Sequence, residues 1–187
     1  MEPIYLRLTE EINAIDYLEK AYYFIKQTNT DNMSWKWVAI SFFGALYGFA
    51  ICACRGTDSN NVIKKKTSFL ITFDEAINNC QNPEIMNMTI KSKCLVLSNR
   101  QKESILQLKS QLRNNFEHYK PCDWLIEIHG FPLIILDVLD IIEFLALEAG
   151  NYVHLEKEQE RKIKSIICEL KRILKNHKLY KDVETIK

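Results

Sequence analysis

Five side chains suited to phosphodiester chemistry lie within one short stretch of the sequence, from Arg113 to His118. A guanidinium can hold two phosphate oxygens in its fork and stabilise the charge of a pentavalent transition state. A histidine, with an ordinary pKa of about 6.5, can take a proton from one oxygen and return it to another at neutral pH. The amides of Asn114 and Asn115 and the carboxylate of Glu117 complete the set. These residue types indicate phosphodiester cleavage.

The spacing of these residues fits the last turns of a helix. Asn114 and His118 are four residues apart and share one helical face, whereas Arg113 and His118 are separated by about 140°. An arginine is long enough to fold back towards that face. The sequence contains no acidic cluster suited to Mg²⁺, so we expect any cleavage to be independent of metal. This expectation points to RNA, since its 2′-hydroxyl supplies an internal nucleophile.

A structural interpretation of the same residues stays open. Arg113 and Glu117 are four residues apart and can form an ion pair on a helix surface. His118, near the C-terminal end of a helix, can cap the last carbonyls and favour the negative end of the helix dipole. An arginine and a histidine at this spacing also occur together by chance, so the pair alone does not decide between catalysis and capping.

The helix that carries this stretch has a clear beginning and end in the sequence. Ser98 followed three residues later by Gln101 is the pattern of a capping box. Pro121 ends the helix, because proline cannot continue it. Its apolar stripe consists of Ile105, Leu108, Leu112 and Phe116.

The most apolar stretch, residues 37–54, reaches the length of a membrane span. It nevertheless contains Ser41, Gly44, Tyr47 and Gly48, and small residues suit a central helix that its neighbours approach closely. We therefore predict a buried core helix and no membrane partner. A membrane anchor is the alternative.

Apolar periodicity predicts further helices in the rest of the chain, at residues 9–27, 69–80, 132–149 and 155–177. A strand at 68–73 is an alternative for part of the second. Residues 124–129 alternate apolar and polar side chains, which predicts a short strand ending at Gly130. We predict a single all-α domain over residues 1–187, a bundle of four to five long helices with a strand-like insertion near 124–129.

Composition narrows the class of protein. The chain is 47% hydrophobic and 26% charged with a net charge of +1, which is typical of an ordinary globular domain and gives no overall attraction to polyanions. Positive charge is concentrated at residues 155–178, with eight Lys/Arg against four Glu. The six cysteines are irregularly spaced without a CxxC. Residues 1–3 lead straight into an amphipathic pattern, so we expect no secretory leader. We expect reduced thiols, no metal, no other cofactor and a cytoplasmic location.

The stretch LRNNFEHY at residues 112–119, with Pro121 and Trp124 after it, resembles the HEPN superfamily and an uncharacterised bacterial subgroup with HEPN-like folds. In that superfamily, an arginine followed by a polar residue and, after four intervening positions, a histidine marks metal-independent endoribonucleases. Many of these belong to toxin–antitoxin, phage-defence or RNA-processing systems. The resemblance implies an HEPN-like helical domain in which Arg113, Asn114 and His118 are catalytic.

The resemblance also implies partners. HEPN proteins usually form homodimers in which two copies of the motif meet in one cleft, and toxins among them pair with an antitoxin protein. One branch carries a modified tyrosine two residues after the histidine, whereas Lys120 stands there in this chain. RNA is the expected substrate. The residues that we expect to bind it are Asn115, Tyr119, Lys120 and Trp124, the last as a ring for base stacking.

The chief alternative is a non-catalytic helical module that binds RNA or a protein through the basic face of the last helix. Other polar residues are assigned to the surface. His154 and His177 flank the last helix, and Asp137, Asp140 and Glu143 recur at three-residue steps as one exposed stripe.

Overall fold

The computed structural model describes residues 3–64, 67–117, 123, 125–151 and 155–185, with side chains as far as residue 182. Within these ranges the chain forms eight helices and no strand, so the predicted all-α class is confirmed. The helices are α1 (Glu10–Gln27), α2 (Ser34–Arg55), α3 (Phe73–Cys80), α4 (Pro83–Met86), α5 (Asn99–Leu106, continued by Gln107–Arg113 and Asn114–Glu117), α6 (Phe131–Glu143, continued by Phe144–Glu148), α7 (Lys157–Asn176) and α8 (Lys178–Thr185). Five of them are long.

Helix α2 lies at the centre of the fold. Of its 22 residues, 14 are buried. Gly44 and Gly48 let α1 approach closely, because a Cβ on Gly44 would lie 2.5 Å from the Tyr17 ring and one on Gly48 would lie 2.7 Å from the Cβ of Ala14. The predicted core helix at 37–54 is therefore present. Helix α2 is long and apolar enough to cross a membrane. Of its most apolar segment of 18 residues, 67% is buried by the rest of the fold.

Helix α3 begins later than the sequence pattern suggested. Residues 68–72 precede it without forming a strand, apart from a single bridge between Leu70 and Ile63. Thr72 caps the helix, and Glu75 accepts the Thr72 backbone N–H in a capping box. This hydrogen bond and Lys64 hold the pKa of Glu75 at about 2.

The strand predicted near 124–129 is wrong for the described residues. Residues 125–128 are irregular and are followed by a turn at 129–130. The alternation has a different cause. Ile126 and Ile128 pack against the helical core, whereas Leu125 and Glu127 point to solvent, and the described part of the chain has no strand that could pair with them. Helix α6 then begins at Phe131 with Pro132 in its first turn, as predicted.

Two surface assignments are also wrong. His177 is only 6% exposed, because its ring packs edge-on against Trp35 and accepts the backbone N–H of Leu179 at the start of α8. Burial lowers the pKa of His177. Asp137 is 3% exposed: it accepts a hydrogen bond from Ser104 and pairs with Arg100, which joins α6 to α5. Periodicity places a side chain on a helical face but does not show what covers that face.

Candidate functional site

Arg113 is the last residue of a π-helical stretch in α5, Gln107–Arg113. Ser98 and Gln101 form the predicted capping box at the start of the helix. Further along, the Asn114 backbone N–H bonds to the carbonyl of Lys109, five residues back. Such wide turns are rare and frequently occur at functional sites. Leu108 and Leu112 remain buried through this stretch, so the helix stays anchored to the core on one side.

The guanidinium of Arg113 is held by three neighbours. Its Cζ lies 4.9 Å from the ring centroid of Phe43 on α2. Its Nη1 donates to Oδ1 of Asn114 at 3.0 Å, and its Nη2 pairs with Oε2 of Glu117 at 2.5 Å. The side chain is 30% exposed. A half-buried cation fixed in this way is already oriented before any ligand arrives.

Hydrogen-bonding capacity is left over at this arginine. Nε is buried and has no hydrogen-bond partner among the described residues. A guanidinium carries five N–H donors, and the described contacts use one on each Nη atom. Among the described residues no contact uses the remaining Nη donors, which an anion can bind. Glu117 occupies Nη2 of Arg113, so an anion that binds this nitrogen must displace the carboxylate or share the guanidinium with it.

Asn115 lies on a different side of α5 from Arg113. It lines a groove of about 490 Å³ between α5 and the residues that lead into α6. Gln107 and Gln111 line the same groove, and its apolar wall includes Ile126 and Phe131. The volume falls within the range of about 300–1,000 Å³ that is usual for ligand pockets. Amide groups beside an apolar wall can contact the edge and face of a nucleobase.

The structure therefore brings together only part of the predicted site. Arg113, Asn114 and Glu117 form one connected group, which includes two of the three predicted catalytic residues and the predicted surface ion pair. Asn115 points into the groove instead. The remaining predicted site residues lie outside the described ranges: His118, Tyr119, Lys120 and Trp124. The distance from Arg113 to the histidine remains a prediction.

Sequence reasoning missed three residues of this region. Gln107 and Gln111 precede Asn115 by eight and four residues, so helical spacing could have placed all three on one side. Phe43 could not have been found in this way, because it comes from α2 and meets Arg113 only through the packing of α2 against α5.

Neither a metal site among the described residues nor a known relative helps to assign the function of this region. Within the described ranges no three His, Cys, Asp or Glu side chains are grouped closely enough to hold a metal ion together. Comparison of the chain with protein-family models, with curated proteins and with solved structures finds no match.

Proposed function

We propose that this protein is a metal-independent endoribonuclease of HEPN type, in which Arg113 binds the scissile phosphate and His118 transfers protons. The observation that carries the proposal is the oriented guanidinium of Arg113, held over Phe43 with donors to spare. Asn114 supports it directly through its side-chain oxygen, as the motif implies. A toxin or defence role with an antitoxin partner, and a cytoplasmic location, belong to the same proposal.

The chemistry needs no group beyond the substrate and the motif. The 2′-oxygen of RNA attacks the adjacent phosphorus, and the bond from phosphorus to the 5′-oxygen breaks. A base takes the proton of the 2′-hydroxyl, and an acid gives a proton to the leaving 5′-oxygen. The products end in a 2′,3′-cyclic phosphate and a 5′-hydroxyl. Arg113 stabilises the charge that builds on the phosphate oxygens.

A homodimer would supply both proton-transfer groups at once. Two copies related by a two-fold axis bring two motifs together, so that one His118 acts as the base and the other as the acid. Exposed apolar side chains near the groove support a contact with a second copy. Leu106 on α5 is 52% exposed, and Leu125 on the groove wall is fully exposed.

Asn115 gives this proposal a place for an unpaired base of the substrate. The groove that it shares with Gln107 and Gln111 places three side-chain amides beside an apolar wall. Asn115 Nδ2 already donates to the carbonyl of Gln111, and Gln107 Nε2 donates to Glu103. An unpaired base can insert into this groove while a phosphate of the same strand binds Arg113 on another side of α5. The substrate in this proposal is single-stranded RNA, whose bases are free to turn outwards.

Cleavage of a mixed-sequence RNA in EDTA tests the proposal. Wild type should produce fragments ending in 2′,3′-cyclic phosphate, and His118→Ala should leave the RNA intact. His129→Ala is the matched control, because His129 is an exposed histidine in the turn before α6. Sizing of the same samples reports the dimer.

Three outcomes would contradict the proposal or a part of it. Intact RNA with folded, dimeric wild type would favour the non-catalytic RNA- or protein-binding module. Equal cleavage by wild type and His118→Ala would remove His118 from the mechanism, whatever cuts the RNA. Cleavage that depends on added Mg²⁺ would reject metal independence.

A further inference from the structure

One arc of the outward side of α7 carries a row of basic side chains. At 3.6 residues per turn, the seven positions that fall in an arc of about 100° are Lys157, Arg161, Lys164, Cys168, Lys171, Arg172 and Lys175. We call these the α7 stripe. Six of the seven are cations, and the stripe runs for about 27 Å along the helix. No acidic residue occupies this arc.

The stripe is fixed towards solvent by the packing of the helix. The apolar residues of α7 occupy the opposite side and most are fully buried: Ile163, Ile166, Ile167, Leu170 and Leu174. Every stripe residue except Lys171 is exposed. The helix cannot roll without exposing its buried side, so the cations remain on the surface as a rigid row.

Part of the charge in the stripe is neutralised within the fold. Lys164 pairs with Glu160, and Arg172 pairs with Glu169. Lys171 is the most enclosed cation and lies between two carboxylates of α6, Asp140 and Glu143.

The other three cations have no ion pair within the described part of the chain: Lys157, Arg161 and Lys175. Lys157 and Arg161 occupy adjacent turns, and Lys175 lies about 21 Å further along the helix than Arg161. Cations without a direct ion pair among the described residues therefore lie at both ends of the stripe, with paired cations between them. Lys157 and Arg161 do lie close enough to Glu160 to help lower the pKa of that carboxyl, after its main partner Lys164.

We propose that the α7 stripe binds the phosphodiester backbone of RNA. The surface matches what a polyanion requires, which is a row of cations that release its counterions. The choice of RNA over other polyanions rests on the function proposed above. Arg161 and Arg172 add planar forks that can each bind a phosphate through two hydrogen bonds.

Other partners fit the stripe less well. A helix that lies on a membrane surface needs large apolar side chains beside its cations, and those of α7 point into the fold. A stable protein interface needs an apolar centre, and the middle of the stripe offers only Cys168. A backbone of phosphates needs neither.

The stripe lies away from Arg113. Helix α7 contacts α6 through Lys171, and α6 contacts α5 through Asp137. RNA bound along α7 would be held remotely from the reacting phosphate. Such uniform binding lowers KM without changing kcat, so the stripe and Arg113 can be separated kinetically.

Salt-dependent RNA binding tests the stripe. The assay uses a labelled single-stranded RNA and full-length His118→Ala protein, which keeps the RNA intact. The triple variant Lys157→Gln/Arg161→Gln/Lys175→Gln should reduce the slope of log affinity against log salt by about 2, since each cation contributes about 0.7. The same arithmetic gives an affinity loss of about 100-fold at 0.1 M salt.

A charge-matched control separates the stripe from net charge. Lys36→Gln/Lys91→Gln/Lys102→Gln removes the same three charges from other helices and loops and should leave the slope unchanged. Equal losses in the two triple variants would reject a local binding site. Circular dichroism of each variant confirms that it is folded.

Cys168 reports where the RNA binds. It is exposed in the middle of the stripe, whereas Cys94 is half-buried in the loop between α4 and α5 and serves as an internal reference. RNA should slow the alkylation of Cys168 by N-ethylmaleimide at least several-fold, measured by mass spectrometry of its peptide, and should leave Cys94 unaffected. RNA that binds without protecting Cys168 would overturn the proposal.

The remaining outcomes separate this proposal from the catalytic one. Protection of Cys168 by phosphatidylserine-containing vesicles but not by RNA would replace RNA with a membrane surface. Protection by RNA, with no cleavage by wild type, would retain the stripe and reject the ribonuclease. Cleavage by wild type with an unaltered KM in the stripe variant would retain the ribonuclease and reject the stripe.

Discussion

Two stretches of the described chain wind as π-helix, one in α5 and one in α6, and their ends differ. Gln107–Arg113 ends at a half-buried guanidinium whose Nε has no partner among the described residues. Phe144–Glu148 ends in the core: the Ala149 N–H bonds to the carbonyl of Phe144, and the chain then turns at Gly150 with φ +75°.

The fold uses the groups that follow the α6 stretch. The carbonyl of Ala149 accepts the N–H of Lys93, and the side chain of Asn151 donates to the carbonyl of Ala53. At the end of the α5 stretch, the described residues leave the Nε donor of Arg113 without a partner. A π-helical turn is therefore not a functional marker by itself. A π-helical turn indicates a functional site only where a polar group at its end forms no hydrogen bond within the fold.

Replacement of Arg113 by alanine should give the largest effect on activity and little effect on stability. Loss of one charge-stabilising group typically costs about 10²–10³ in kcat, whereas a surface ion pair contributes about 0–1 kcal/mol. Initial rates of RNA cleavage and urea unfolding measure the two quantities. Lys102→Ala, an exposed cation on the same helix, is the control. Full cleavage by Arg113→Ala would show that the two π-helical stretches are alike in having no function.

Replacement of Gly150 by alanine should show the opposite pattern. A Cβ there would overlap the carbonyl oxygen of Lys91, and the backbone has a positive φ. We expect a loss of about 3 kcal/mol in the free energy of unfolding, with residual activity in proportion to the folded fraction. The control is Gly130→Ala, where no atom lies within 4 Å of the added Cβ. Equal stability of the two variants would contradict this account of the α6 stretch.

An intermediate effect is expected where the two π-containing helices are joined. Asp137 is buried on α6 and accepts from Ser104 on α5 at 2.8 Å. Asp137→Ala leaves that hydroxyl without its acceptor, which should cost about 1–3 kcal/mol. Asp140→Ala, three residues later on α6, removes only a surface ion pair with Lys171 and should cost less than about 1 kcal/mol. Urea unfolding measures the free energy of unfolding of both variants. A larger loss in Asp140→Ala than in Asp137→Ala would contradict the role of the buried Ser104–Asp137 hydrogen bond.

Much of the fold could be predicted from the sequence because its signals are local. The capping box at Ser98, the proline at the start of α6 and the apolar runs of α1 and α7 each depend on residues within a few positions. The false strand at 124–129 shows the limit. Alternation records only that one side is buried, and a helical bundle buries a side as well as a sheet does.

The site was less predictable because its parts come from separate elements. The sequence indicated Arg113 and Asn114, and the structure adds Phe43 from α2, which no spacing on α5 could suggest. The π-helical turn was also missed. In an ideal helix, Leu108, Leu112 and Phe116 drift around the axis at four-residue steps, and a wider turn keeps Leu108 and Leu112 buried.

Replacement of Glu117 by glutamine should have the smallest effect on stability and still distinguish the two interpretations of α5. Its ion pair with Arg113 is about one-third exposed on each side, which limits its contribution to about 0.2–0.5 kcal/mol. If Arg113 binds phosphate, Glu117 competes with the substrate for Nη2, and its neutralisation should lower KM. Initial rates over a range of RNA concentrations measure this, with Glu84→Gln on α4 as the control. A KM that stays the same, together with the small loss of stability, would make the pair a structural contact without a role in substrate binding.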